Sequence, residues 1–261
     1  MMGKRWVEGQ LLAWSSNGRY LAMQGPGTRD GHNAIVLVDT ATGRAWRLTD
    51  WYNGDPTSAA FSPDNKWLAF AQGTTKTYLA PPRTDVEAHV GIVSLDGSQE
   101  FDVPGTGNSV TWDNDVVLYS GCFGDPYNMC AVDARGTGVR TVNMRMRNPT
   151  MSPDGNWLAG GVETDAAGRT GDALGIAHPD GTGAHTIDDK NALLGRPSWT
   201  PDSQTIVYAT TTWDCSTPVG SSTPPPVCPT SNVGLMSAAL GDFSVKVLTT
   251  HGERSPLVGR R

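Results

Sequence analysis

The 261-residue chain is poor in charge and carries no basic excess. Lys and Arg number 20 against 26 Asp and Glu, for a net charge of −6, and charged residues make up 18%. A nucleic-acid partner is not expected, because gripping a phosphate backbone takes a basic stripe that displaces counterions. No apolar run is long enough to span a bilayer, and Met1 to Gln10 lack the apolar core of a signal peptide. Sustained helical periodicity is missing throughout, so an all-β chain is expected. There is no Gly-x-Ser-x-Gly elbow to carry a nucleophile. His178 and His185 flank a turn instead of sharing a helix face, and Pro104-Gly105-Thr106-Gly107 lacks a following helix to cradle phosphate. No catalytic constellation is assigned, and neither a cofactor nor a metal.

What the chain does have is repetition. An apolar or aromatic anchor, a tight polar turn and a short apolar strand recur five times. Examples are Ala60-Phe61-Ser62-Pro63-Asp64-Asn65-Lys66-Trp67-Leu68-Ala69-Phe70 and Thr150-Met151-Ser152-Pro153-Asp154-Gly155-Asn156-Trp157-Leu158-Ala159. The anchors Trp14, Phe61, Trp112, Met151 and Trp199 lie 47, 51, 39 and 48 residues apart, a period suited to four-stranded blades. Proline presets the backbone of the turn and Asp bonds nearby amides, so the first two strands of each repeat form a hairpin. Third strands are expected at Ala34 to Asp39, Val90 to Asp96, Met129 to Asp133, Ala173 to Ala177 and Val233 to Ala238. Fourth strands follow, such as Arg44 to Thr49 and Ser244 to Thr249. The repeated Asp64, Asp154 and Asp202 are read as turn residues, not paired catalytic carboxylates.

The Ser-Pro-Asp-Gly-x-Trp-Leu-Ala turn, with an Asp-Gly-x-Gly turn before a strand ending in Leu-Thr, resembles the repeats of TolB-like β-propellers over about residues 11 to 250. The resemblance implies a β-propeller and, by family role, protein–protein contacts in the cell envelope. Repeats are placed at about 11–54, 55–107, 108–147, 148–193 and 194–250 of a single domain, 1–261. Segments 4–7 and 254–261 read as partial strands of a sixth blade, since a ring closes when terminal strands share a blade; the other reading is five blades that close alone with frayed ends.

The four cysteines fall as Cys122 with Cys130 and Cys215 with Cys228. Each couple brackets the connection between the second and third strands of one repeat, where hairpin geometry brings the ends together. Two disulfides are expected, and with them an extracytoplasmic location, periplasmic or secreted, whose export signal is not in this chain.

The two ends of the strands differ. Tight turns repeat at one end, whereas the second-to-third-strand connections are long and unlike one another: Gln24 to Asn33, Gln72 to Glu87, Gly121 to Tyr127, Glu163 to Gly171 and Thr211 to Asn232. Recognition residues gather on such connections because a scaffold fixes their ends while leaving their sequences free. Trp51, Tyr52, Asp55, Tyr78, Arg83, Tyr127, Arg147 and Trp213 are the candidate binding residues, with the aromatic and Arg composition of binding hot spots. His32 and His89 occupy equivalent positions, but without a third ligand they read as solvated. A non-catalytic propeller binding a protein or peptide is therefore expected. The alternatives are the propeller part of a larger serine hydrolase or peptidase, and a glycan-binding or lyase propeller.

Overall fold

The computed structural model describes residues 9–26, 33–49, 54–79, 82–163, 172–213 and 230–249, with side chains except at 74–79, 82–87, 212–213 and 230–233. The expected terminal strands at 4–7 and 254–261, and the Cys215 and Cys228 couple, lie outside the described residues. The all-β expectation holds, with a single short 3-10 turn among the described residues.

Sheet one is β1 (Leu11–Trp14), β2 (Tyr20–Pro26), β3 (Asn33–Asp39) and β4 (Ala45–Arg47); sheet two is β5 (Asp55–Phe61), β6 (Trp67–Leu79), β7 (Pro82–Ser94) and β8 (Glu100–Val103). Sheet three comprises β9 (Ser109–Asp113), β10 (Val116–Ser120), β11 (Asn128–Asp133) and β12 (Arg140–Arg145). All three run in sequence order. The remaining strands join one seven-stranded sheet: β13 (Arg147–Met151), β14 (Leu158–Glu163), β15 (Asp172–Ala177), β16 (His185–Trp199), β17 (Thr205–Trp213), β18 (Thr230–Ala239) and β19 (Val245–Thr249). Strand β16 is long because it ends one four-strand group and begins the next, so the expected repeat boundary at 193/194 falls inside it. The chain divides into two compact units, Met1–Pro126 with Cys130–Thr141, and Tyr127–Met129 with Val142–Arg261.

Alternation of side chains along each strand builds the cores. In the first unit Leu68 and Phe70 of β6 pack with Ile35 and Leu37 of sheet one, while the intervening Ala69 and Ala71 pack with Val110, Trp112 and Tyr119 of sheet three. Sheet two is thus apolar on both faces. In the second unit Leu174 and Ile176 of β15 meet Trp199, Ile206 and Tyr208. First strands are also tied side by side, by Val110 N–H to Ser58 Oγ at 3.1 Å in one unit and Trp199 Nε1–H to Thr150 O at 3.0 Å in the other.

The first-to-second-strand turns that begin at Ser15, Ser62, Ser152 and Thr200 share one design, which the shorter β9–β10 turn lacks. Ser62 Oγ donates to Asp64 Oδ1 at 2.7 Å and accepts the Trp67 N–H at 2.9 Å; Ser152 does the same toward Asp154 and Trp157, at 2.6 and 2.9 Å. Thr200 repeats the pattern with Asp202 and Thr205. The next position is left-handed each time: Gly18, Asn65, Gly155 and Ser203 have φ of 72, 55, 73 and 60°. Glycine and Asn tolerate that region best, which accounts for their recurrence there.

Two expected loops are corrected. Gln72 to Glu87 is not a loop, because β6 and β7 stay paired from Gln72↔His89 out to Leu79↔Pro82. Part of Thr211 to Asn232 is likewise strand, paired to Trp213↔Thr230. Thr74, Thr75, Thr77, Tyr78, Thr84 and Val86 are β-branched or aromatic residues that suit a pleated ladder.

Candidate functional site

The site grows from the triplet Arg145-Met146-Arg147, where β12 ends and β13 begins. Met146 is 1% exposed, and its N–H donates to Tyr127 O at 2.8 Å. With the middle residue buried, extended backbone turns both arginines outward. Their guanidinium carbons lie 5.7 and 5.5 Å from the centroid of the Tyr127 ring, within cation–π range.

Two carboxylates complete the cluster. Asp172, at the start of β15, is buried and accepts the Tyr127 hydroxyl at 2.5 Å, while Arg147 Nη1 lies 3.5 Å from its other oxygen. Glu163, its cross-strand neighbour, takes Arg145 Nε–H at 2.9 Å, and Arg145 Nη1–H reaches Asn128 Oδ1 at 2.9 Å. Gly161 leaves room for this arrangement, since a Cβ there would lie 2.6 Å from Asp172 Oδ2. Burial pushes the Tyr127 hydroxyl above its ordinary range, and its bond to Asp172 adds to the shift. It therefore remains a donor at neutral pH. Asp172 is held inside while both arginines stay about half exposed, so the cluster is a fixed aromatic ring under two accessible cations.

Of the candidate binding residues, Tyr127 and Arg147 come together here. Asp55 Oδ1 accepts the Asn33 N–H at 2.8 Å and the Asn33 Nδ2–H at 3.2 Å, which ties the start of β3 to the start of β5. Tyr78 and Arg83 are cross-strand partners in the β6–β7 ladder, and Trp213 pairs with Thr230. Trp51, Tyr52 and His32 lie outside the described residues. His89 sits within β7 opposite Gln72, and burial lowers its pKa against the opposing pull of Asp102; it is not the solvated loop residue expected.

Sequence reasoning missed Arg145, Asp172 and Glu163. Alternation around Met146 would have found Arg145, but the carboxylates carry no local signal. It also missed Asp188, a buried carboxylate that accepts the Tyr208 hydroxyl at 2.8 Å and the N–H groups of Lys190 and Asn191. With its oxygens so engaged, Asp188 braces the irregular middle of β16.

Among the described residues, two concavities bear on the choice of site. One of about 360 Å³ adjoins the cluster, lined by Arg145, Met146, Val162, Ile176 and His185. A larger cleft of about 510 Å³ lies at the tight-turn end, walled by Tyr20, Trp46 and Trp67. Its rings are already engaged: Tyr20 meets Trp46 edge-on at 6.2 Å, Arg44 lies 5.6 Å over Trp46, and Trp67 packs with Phe101 at 5.7 Å. Size favours the cleft, but accessible unlike groups favour the cluster.

Between β10 and β11, the 3-10 turn Cys122–Gly124 opens a loop closed by the expected disulfide from Cys122 to Cys130, with Cα atoms 6.1 Å apart.

No protein-family model matches the chain. No curated protein matches it in sequence. Solved structures do. TolB from Acinetobacter baumannii superposes with a TM-score of 0.64 at 15% identity, covering 92% of this chain and 53% of that one. The putative TolB from Agrobacterium tumefaciens gives 0.64 at 14% identity, covering 93% and 80%. An acylaminoacyl peptidase from Pyrococcus horikoshii gives 0.57 at 14% identity, covering 93% of this chain and 39% of that one. The chain thus spans about half the length of the Acinetobacter protein. The fold is that of a TolB-like β-propeller.

Proposed function

We propose that this chain is a non-catalytic propeller module that binds a protein or peptide through the loop end of its sheets, in an extracytoplasmic space. The observation that carries the reading is the Tyr127 ring held under two half-exposed arginines, the composition of an interface hot spot. Trp51, Tyr52, Asp55, Tyr78, Arg83 and Trp213 are further proposed binding residues, and Cys215 with Cys228 is the proposed second disulfide. The disulfide between Cys122 and Cys130 supports the location, since such bonds persist in oxidising compartments. Five four-stranded repeats with a partial sixth, in one domain, remain the proposed blade plan. No nucleic acid, cofactor or metal enters it.

The test is binding of host envelope proteins to wild-type chain and to Arg147→Ala, by surface plasmon resonance against each purified candidate. The reading requires one protein whose Kd rises with the substitution while the melting temperature holds. If Arg147→Ala leaves every interaction unchanged, the cluster is not the binding surface. The likeness to a peptidase chain of which this chain covers 39% favours a second reading, the propeller portion of a larger hydrolase. A catalytic domain in the full-length chain would select it.

A further inference from the structure

The β10–β11 loop holds an aromatic ring out in solvent, in a backbone conformation that such a residue avoids. Phe123 is 71% exposed, more than any other large apolar residue among those described. Its φ of 58° and ψ of 25° are left-handed, where Cβ crowds the adjacent carbonyl oxygen. Burial of the ring does not offset that strain.

The loop enforces the conformation from several sides. Gly121 and Gly124 flank Phe123 with φ of 87 and 80°. Thr106 Oγ1 donates to Gly121 O at 2.9 Å and accepts the Gly124 N–H at 3.0 Å. The disulfide fixes Cys122 to the buried Cys130 on β11. Strain that the surroundings over-determine marks functional positions, and a ring ordered before binding loses little entropy on docking.

We propose that Phe123 is an aromatic anchor that inserts into an apolar pocket with a basic rim on a protein partner. This rests on the reading that the chain binds a protein. The exposed apolar footprint is one ring, which matches a pocket better than a broad surface. Membrane docking draws on a wide apolar face with cations, yet residues 121–126 contain no Lys or Arg and do contain Asp125. The net charge of −6 disfavours a second copy and favours a basic partner.

The experiment places a photo-crosslinking phenylalanine analogue at 123 and, separately, at 147 in the native host, and purifies the protein captured. Its Kd is then measured against wild type, Phe123→Gly, Phe123→Trp and Arg147→Ala. Phe123→Gly should weaken binding by about 30-fold or more, about 2 kcal/mol, the scale of a hot-spot aromatic. Its melting temperature should hold or rise, because glycine accepts the left-handed backbone. Phe123→Trp should retain binding. If Phe123→Gly binds like wild type while Arg147→Ala is weakened, the anchor is wrong and the binding role stands. Capture of no protein at either position ends both. Phe123-dependent sedimentation with phosphatidylglycerol vesicles, Phe123-dependent self-association, or a melting temperature that falls with Phe123→Gly would each overturn the anchor.

Discussion

The turn end and the loop end of the sheets use the same polar chemistry for opposite purposes. At the turn end, carboxylates face inward on their own turns: Asp64 on Ser62, Asp154 on Ser152, Asp202 on Thr200 and Asp180 on Thr182. Each bond spans two residues, so sequence neighbours close the turn unaided. At the loop end the bonds reach 45 residues from Tyr127 to Asp172 and 18 from Arg145 to Glu163. Local bonding produces the same turn again and again, whereas long-range bonding makes a site that does not recur among the described residues.

The sharpest way to break this contrast is to remove Asp172. Asp172→Ala deletes a buried acceptor of the Tyr127 hydroxyl and the partner of Arg147, and should cost about 2–3 kcal/mol in urea unfolding. A loss below about 0.5 kcal/mol, the range of an ordinary surface change, would show that the carboxylate does not hold the ring. Next is Arg147→Ala, expected to cost about 2 kcal/mol of partner affinity with little change in unfolding. Equal losses in affinity and stability would make the arginine a structural brace.

On the turn end, Ser152→Ala removes one donor to Asp154 and one acceptor for Trp157, and should cost about 1 kcal/mol of stability with partner affinity untouched. Loss of binding there would place recognition on the wrong end. The smallest effect expected from one residue is at Asp96. Its bond from Ser94, then those from Ser98, lower its pKa from 3.8 to about 2. A folded-state pKa below the unfolded one means the native state binds the proton less readily. The stabilisation is therefore present above pH 3.8 and lost as pH falls toward about 2. Asp133, Asp180 and Asp202 are shifted the same way, chiefly by bonds from Thr137, Thr182 and Thr200. Asp96→Asn should flatten the dependence of melting temperature on pH in that window. An unchanged slope would remove the residue from the acid response.

Much of the fold was legible because its signals are short in range. The third strand expected at Ala34 to Asp39 is β3 with one residue added, and Met129 to Asp133 is β11 likewise extended. The loop at Gln72 to Glu87 was misread because length was weighed above composition, and its β-branched run carries the ladder to Leu79↔Pro82. Of the site, Tyr127 and Arg147 could be read as exposed recognition types on a connection. Asp172 could not, since nothing near it in sequence distinguishes it from Asp189 or Asp115. Phe123 looked like one apolar residue in a loop until its backbone and exposure were known.

By itself, the sequence determined the strands, their turns and the disulfide across one loop, because each depends on residues a few positions apart whose preferences act before the chain is compact. The tertiary structure decided which polar groups would be buried and which cations left accessible. Buried carboxylates and ion pairs between distant segments form only where packed strands bring those segments within bonding distance. That is why Asp172 joined Tyr127, and why Asp55 ties the start of β5 to the start of β3.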